Sequence, residues 1–177
     1  MENEKLLDIK DLSVTYKTED GIVYAVNNLN LSIGHKETLG FVGETGAGKT
    51  TTAMAIMGLL PTPPAKVTSG EIIFDGRDML KISDKERRGI LGEEISMIFQ
   101  DPMTSLNPSM RVGDQIVEMI RLHKTIGKAE AMEEAYKLLE MVGIRRERAV
   151  DYPHQFSGGM KQRVVIAIAL ACSPKMI

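Results

Sequence analysis

Between residues 6 and 16 apolar and polar positions alternate. Leu7, Ile9, Leu12, Val14 and Tyr16 stand among charged and hydroxylated neighbours, with Asp11 intruding. A period of two puts one set of side chains on one face, so this stretch predicts a half-buried β-strand. Thr18-Glu19-Asp20-Gly21 has the residue types of a hairpin turn. Ile22–Val26 and Leu29–Ile33 are further strand candidates, joined by Asn27-Asn28. The chain is thus expected to open with an antiparallel β layer. The continuous apolar run Leu39-Gly40-Phe41-Val42 predicts a buried strand, and Thr51–Met57 predicts a helix. That helix is expected to end at Leu59-Leu60, stopped by Pro61.

Glu71–Phe74 reads as a short strand turned by Asp75-Gly76. Ser83 with Glu86 three residues on forms a capping box that opens a short helix. Ile95–Phe99 reads as a second buried strand ending at Gln100. Composition then shifts: residues 101 to about 151 have no β-branched runs and two helical patterns. Val112, Ile116, Met119 and Ile120 share one face. Ala131, Ala135, Leu138, Leu139 and Val142 share another, with Gly143 as the stop. Met119, Met132 and Met141 are expected as core filler. A last apolar run, Val164–Cys172, reads as a helix ended by Pro174, and Lys175-Met176-Ile177 as the start of another strand.

The 177 residues are 43% hydrophobic and 26% charged, which suits one soluble globular domain. The net charge of -2 gives no bulk drive towards nucleic acid or an anionic membrane. A single cysteine, Cys172, excludes an internal disulfide; its apolar run predicts core packing in a reduced, cytosolic compartment. His35, His123 and His154 have no metal-ligand spacing. Met1-Glu2-Asn3-Glu4-Lys5 leads straight into the strand pattern, so no signal peptide is expected. No stretch reaches the 18 or so apolar residues of a membrane span. Service to a membrane would come from outside it, docked on a partner.

The chemistry gathers between the Leu39 run and the following helix. Gly43-Glu44-Thr45-Gly46-Ala47-Gly48-Lys49-Thr50 matches G-x-x-x-x-G-K-[ST], a phosphate-binding loop. The glycines let backbone approach a ligand without a Cβ in the way, and the loop N–H groups form an anion nest. The helix starting near Lys49 adds unpaired N–H groups and the positive end of its dipole. Lys49 supplies a point charge for β/γ-phosphates and Thr50 a hydroxyl for Mg²⁺. Phe156-Ser157-Gly158-Gly159-Met160 opens the last helix, with Ser157 as cap. This is either a second anion-binding helix end or an ordinary loop-to-helix junction.

Tyr16, the glycine loop, Gln100 and the Ser157-Gly158-Gly159 helix start follow in one order over nearly the whole chain. Together they resemble the nucleotide-binding subunit of an ATP-binding-cassette (ABC) transporter. Residues 8–16, 43–49, 99–108 and 152–160 are similar to the oligopeptide/dipeptide importer branch, which also contains nickel importers. That branch often carries Phe and Met where the general signature reads L-S-G-G-Q, as Phe156 and Met160 do here. The resemblance implies that Tyr16 stacks on adenine and that Gly43, Glu44, Thr45, Gly46, Ala47, Gly48, Lys49, Thr50 and Thr51 hold the phosphates of ATP. It implies that Thr50 and Gln100 contact Mg²⁺. Gln100 would also contact the attacking water and report the γ-phosphate to the helical region. Ser157, Gly158 and Gly159 would bind the γ-phosphate of ATP held by a second ATP-binding subunit, in a head-to-tail dimer. The segment near residues 101–112 would lie close to the surface that receives the transmembrane permease.

The fold this implies is α/β: a P-loop NTPase (ABC ATPase) with an N-terminal antiparallel β layer and an inserted α-helical subdomain, C-terminally incomplete. Residues 1–100 would form the β layer and α/β core up to Gln100, residues 101–156 the helical subdomain, and residues 157–177 the signature helix and the start of the Walker B strand. The family's acidic Mg²⁺ partner, catalytic Glu and switch His are expected after Ile177, so these residues alone would not sustain hydrolysis. The implied function is ATP-driven uptake of oligopeptides or dipeptides, at the cytoplasmic face of the inner membrane and fed indirectly by an extracytoplasmic binding protein. A non-hydrolysing nucleotide-binding module and a nickel importer ATPase are the alternatives. No nucleic-acid partner is expected, because no basic cluster is present.

Overall fold

The computed structural model describes residues 5–177, apart from the side chains of residues 102 and 103. Strand β1 (Lys5–Thr18) pairs antiparallel with both β2 (Gly21–Gly34) and β3 (Ala65–Phe74), and β3 pairs with the short β4 (Arg77–Asp78). The order across the sheet is β2-β1-β3-β4. Leu7, Ile9, Leu12, Val14, Ile72 and Phe74 are buried, as the alternation requires.

The phase slips between Ile9 and Leu12, and the structure shows why. Asp11 sits at φ 48 in a bulge, so the extra residue returns Leu12 and Val14 to the buried face. The bulge is held by polar groups. The Asp11 amide donates to Asn30 Oδ1 at 3.0 Å, Asn30 Nδ2 donates back to Asp11 Oδ1 at 3.1 Å, and Ser69 Oγ donates to the Asp11 carbonyl at 3.1 Å. Asn28 has φ 48 on the facing strand. The expected break at Asn27-Asn28 is therefore an irregularity inside one strand: residues 22–33 form a single β2. Strand β3 also begins earlier than its apolar half suggested, at Ala65.

Helix α1 (Lys49–Met57) ends at Gly58, which takes the left-handed conformation as its C-cap. The stop therefore precedes Pro61 and the expected Leu59-Leu60 end. Leu39-Gly40-Phe41-Val42 is a correction: it forms no strand among the described residues, and Val42 is 92% exposed. A buried strand needs a neighbour to complete its hydrogen bonds, and hydrophobicity does not supply one.

Helix α2 (Asp84–Ile90) starts at the expected capping box. Ser83 N–H and Oγ–H donate to Glu86 Oε2 at 2.9 and 2.7 Å, and the Glu86 N–H donates back to Ser83 Oγ at 3.3 Å. The Ser83 hydroxyl, with its amide, holds the Glu86 carboxyl below its ordinary value of 4.5. A carboxyl with a lowered folded pKa stabilises the fold above its unfolded value, and that contribution fades as pH falls through the folded one. An NMR titration should place the Glu86 midpoint below 4.5 and move it upward in Ser83→Ala. A wild-type midpoint at or above 4.5 would contradict this reading.

The chain divides into two compact units, with the boundary between Arg88 and Gly89. In the second, Ile95 makes parallel bridges with Leu91 and Met176. The Ser96 amide donates to the Met176 carbonyl at 3.0 Å, and pairing stops there. The expected strands at 95–99 and 175–177 are thus isolated bridges, and Phe99 is exposed. After the single-turn α3 (Pro102–Ser105) come α4 (Val112–His123) and α5 (Lys128–Met141). They bury Val112, Ile116, Ile120, Ala131, Ala135 and Leu139 against Phe156 and Val164. Each of the valine, isoleucine and leucine side chains contributes about 1.5–3 kcal/mol. Gly143 ends this helical region at φ 72. Met119 and Met132 pack on the core. Met141 corrects the expectation: it is 71% exposed, because it lies two residues beyond Leu139 and points to the opposite side of α5. Two 3₁₀ turns, Arg146–Val150 and Pro153–Gln155, lead into α6 (Gly158–Leu170). Cys172 is half-buried, and burial pushes its thiol above the usual range, as a packing role predicts. No helix among the described residues is long and apolar enough to cross a membrane.

Candidate functional site

The glycine loop is shaped by one close backbone approach. Gly48 has φ 80 and is buried; a Cβ there would lie 2.2 Å from the Ala25 carbonyl oxygen of β2. Only glycine fits. Gly48 is also the N-cap of α1, with no side-chain cap bond. The Gly48 carbonyl accepts from the Thr52 amide at 2.8 Å and from the buried Thr52 hydroxyl at 2.9 Å, which fixes the first turn. The amide of Ala47 donates to the Glu44 carbonyl at 3.1 Å, closing the turn that Gly46 enters at φ 87. Around Gly46 nothing stands where a Cβ would be.

Lys49 folds back over this loop. Its Nζ donates to the carbonyls of Gly43 at 2.6 Å and Glu44 at 2.7 Å. The ammonium is thereby held at the loop mouth, beside the first turn of α1. Thr45, Gly46 and Thr50 are exposed and Thr51 half-buried. Uncapped helix amides, an open glycine backbone and a fixed ammonium make a cradle for a polyanion. A triphosphate fits that donor set. Thr50 offers one hard oxygen donor, which suits Mg²⁺ completed by phosphate oxygens and water. Among the described residues no cluster of three or more His, Cys, Asp or Glu could hold a metal by itself.

Tyr16 lies in the same unit. It is half-buried on β1 and pairs with Val23 of β2 and Ala65 of β3. Val23 is two residues from Ala25, so β2 carries both the tyrosine's neighbour and the carbonyl on which Gly48 rests. Gln100, Ser157, Gly158 and Gly159 belong to the other unit. Gln100 is exposed on a cavity of about 580 Å³ lined by Ser96, Phe99, Asp101, Val165 and Ala169. That cavity reaches α6 two to three turns beyond Ser157, so the structure does not bring Gln100 and Ser157 together.

At the start of α6 the Ser157 Oγ accepts from the Met160 amide at 3.4 Å. Gly158 and Gly159 are exposed with nothing over them. The approach to this turn is packed and hydrogen-bonded. Phe156 is buried under the Arg148 guanidinium at 4.8 Å, and Gln155 Oε1 accepts from the Tyr152 amide at 2.8 Å. Arg163, one turn in, donates to the carbonyls of Val142 at 3.4 Å and Gly143 at 3.1 Å. It ties α6 to the carbonyl end of α5. Sequence reading missed Ala25, Thr52 and Arg163. Ala25 acts through its backbone and carries no signal. Thr52, in the turn after Lys49-Thr50, could have been suspected.

Comparison with known proteins places the chain in a family. A family model described as ABC transporter matches residues 26–177. The oligopeptide transport ATP-binding protein OppD of Escherichia coli (strain K12) is 52% identical over 176 residues, covering 98% of this chain and 52% of that protein. OppD of Bacillus subtilis (strain 168) is 50% identical, covering 98% and 49%. The dipeptide transport ATP-binding protein DppD of the same organism is 50% identical, covering 98% and 52%. The chain thus spans about half the length of the curated relatives it matches. A solved dimeric ATP-binding cassette, in a post-hydrolysis state bound to ADP and Pi, superposes with a TM-score of 0.84 at 30% identity. That match covers 95% of this chain and 70% of the cassette.

Proposed function

This chain belongs to the ABC transporter family, and from that premise we propose that it is the ATP-binding part of an importer subunit for oligopeptides or dipeptides. The observation that carries the proposal is the loop itself: Gly48 seated on the Ala25 carbonyl, with Lys49 held across the mouth. Loop amides and the Lys49 ammonium would bind the phosphates, Thr50 would offer its hydroxyl to Mg²⁺, and Tyr16 would stack on the adenine; Gln100, in the other unit, is assigned a Mg²⁺ contact on the family resemblance alone. When bound, Mg²⁺ would offset the charge of the phosphates. The capped start of α6 suits Ser157, Gly158 and Gly159 to a γ-phosphate on a second ATP-binding subunit, in a head-to-tail dimer. The dimeric cassette neighbour supports that arrangement. Gln100 orients the attacking water. No acid among residues 1–177 is assigned the role of general base, so the activity proposed for these residues is nucleotide binding.

Names of relatives at about half identity, oligopeptide and dipeptide transport alike, support the cargo. The complete protein would work at the cytoplasmic face of the membrane, docked on permease subunits and served indirectly by an extracytoplasmic binding protein. Cells deprived of their own peptide-importer ATPase test this. The full-length polypeptide should restore uptake of a labelled tripeptide, and Lys49→Ala should not. Restored nickel uptake with no peptide uptake would overturn the cargo assignment.

A further inference from the structure

The turn that follows Gln100 is clamped by a single buried side chain. Gln115, in the first turn of α4, points into residues 107–110. Its Oε1 accepts from the Asn107 amide at 3.0 Å, and its Nε2 donates to the carbonyls of Asn107 and Met110, both at 3.0 Å. One side-chain amide thus meets three backbone groups of the turn, using both its acceptor and its donors. Leu106, immediately before, is buried in the helical core. Upstream, the Asp101 carbonyl accepts from the hydroxyls of Thr104 and Ser105, each at 3.1 Å, so the stretch from Asp101 to Asn107 has little slack. The Asn107 Oδ1 accepts from the Ser109 amide at 3.0 Å and tightens the turn further.

We propose that Gln115 is a positioning residue: by locking residues 107–110 to α4, it makes a nucleotide-dependent shift at Gln100 move the helix instead of being absorbed in the loop. This rests on the reading of Gln100 as a nucleotide-sensing group. A segment pinned at Leu106 and Asn107 transmits displacement, whereas the same segment hung only from backbone would flex.

Amide exchange on the full-length polypeptide, with and without Mg-ATP, tests it in wild type, Gln115→Leu and Gln115→Glu. Leucine removes all three bonds at similar size. Glutamate keeps one acceptor and faces two carbonyls with a carboxylate, so it serves if the leucine variant fails to fold. Without nucleotide, exchange at residues 107–110 should rise about tenfold in the variants, the effect of leaving buried groups unpaired. ATP affinity should stay within about twofold of wild type, because the three Gln115 bonds lie within residues 107–115 and Gln115 has no assigned role in the phosphate cradle. The ATP-induced change in exchange across α4 should fall by at least half. Variants that bind ATP and retain the full α4 response would overturn this inference and leave the nucleotide site standing. A wild type that binds no ATP would overturn both.

Discussion

Gly48→Ala should cost about 3 kcal/mol or more of folding stability, which for a chain of this size lowers Tm by about 6–12 °C. Two effects combine. A left-handed conformation costs an alanine roughly 1–2 kcal/mol. The new methyl would also stand 2.2 Å from the Ala25 carbonyl oxygen, and that oxygen belongs to β2 and cannot swing aside. Gly46→Ala carries the first effect alone, so the difference between the two variants measures the second. Gly46 is also left-handed, at φ 87, but its Cβ would meet nothing within 4 Å. Its expected cost is only about 1 kcal/mol. Thermal melts of the two variants decide the matter. Equal losses would mean that the seat on β2 does not shape the loop.

Lys49→Ala should weaken Mg-ATP binding by about a hundredfold or more, roughly 3 kcal/mol, with little change in stability. The ammonium is held by two carbonyls of its own loop, at 2.6 and 2.7 Å, so its position is set before any ligand arrives. A charge already placed does not need to be ordered on binding, and the β/γ-phosphates carry the charge it matches. Lys49→Arg should not restore affinity, because a planar guanidinium cannot donate to both carbonyls and still present a compact charge. Titration of a fluorescent ATP analogue measures all three proteins. A loss below threefold in Lys49→Ala would contradict the assigned role.

The parts of this fold that local rules govern were legible in the sequence. The helical faces of α4 and α5, the Gly143 stop and the Ser83–Glu86 cap depend on residues three or four apart. The Leu7–Val14 alternation likewise needs only a period of two. What was not legible depends on distant partners. Leu39–Val42 and Ile95–Phe99 look like strands because they are apolar, but pairing is set by what lies alongside. The early half of β3 is polar, and Gly70, at φ 100 with its Cβ site 2.5 Å from Leu12 Cα, gives it no alternation to read. In the candidate site the glycines and Lys49 announce themselves through residue type. The contact that makes Gly48 indispensable does not, because a backbone carbonyl looks the same at every position.

The central claim is that these residues form a working phosphate cradle, and a thermal melt of the chain with and without Mg-ATP tests it most directly. A ligand that binds only the folded state at a hundredfold excess over its Kd stabilises by about 2.7 kcal/mol, or about 5–11 °C in Tm here. The account predicts a shift of that size in wild type and at most about 1–2 °C in Lys49→Ala. No shift in wild type, or the same shift in both proteins, would contradict it.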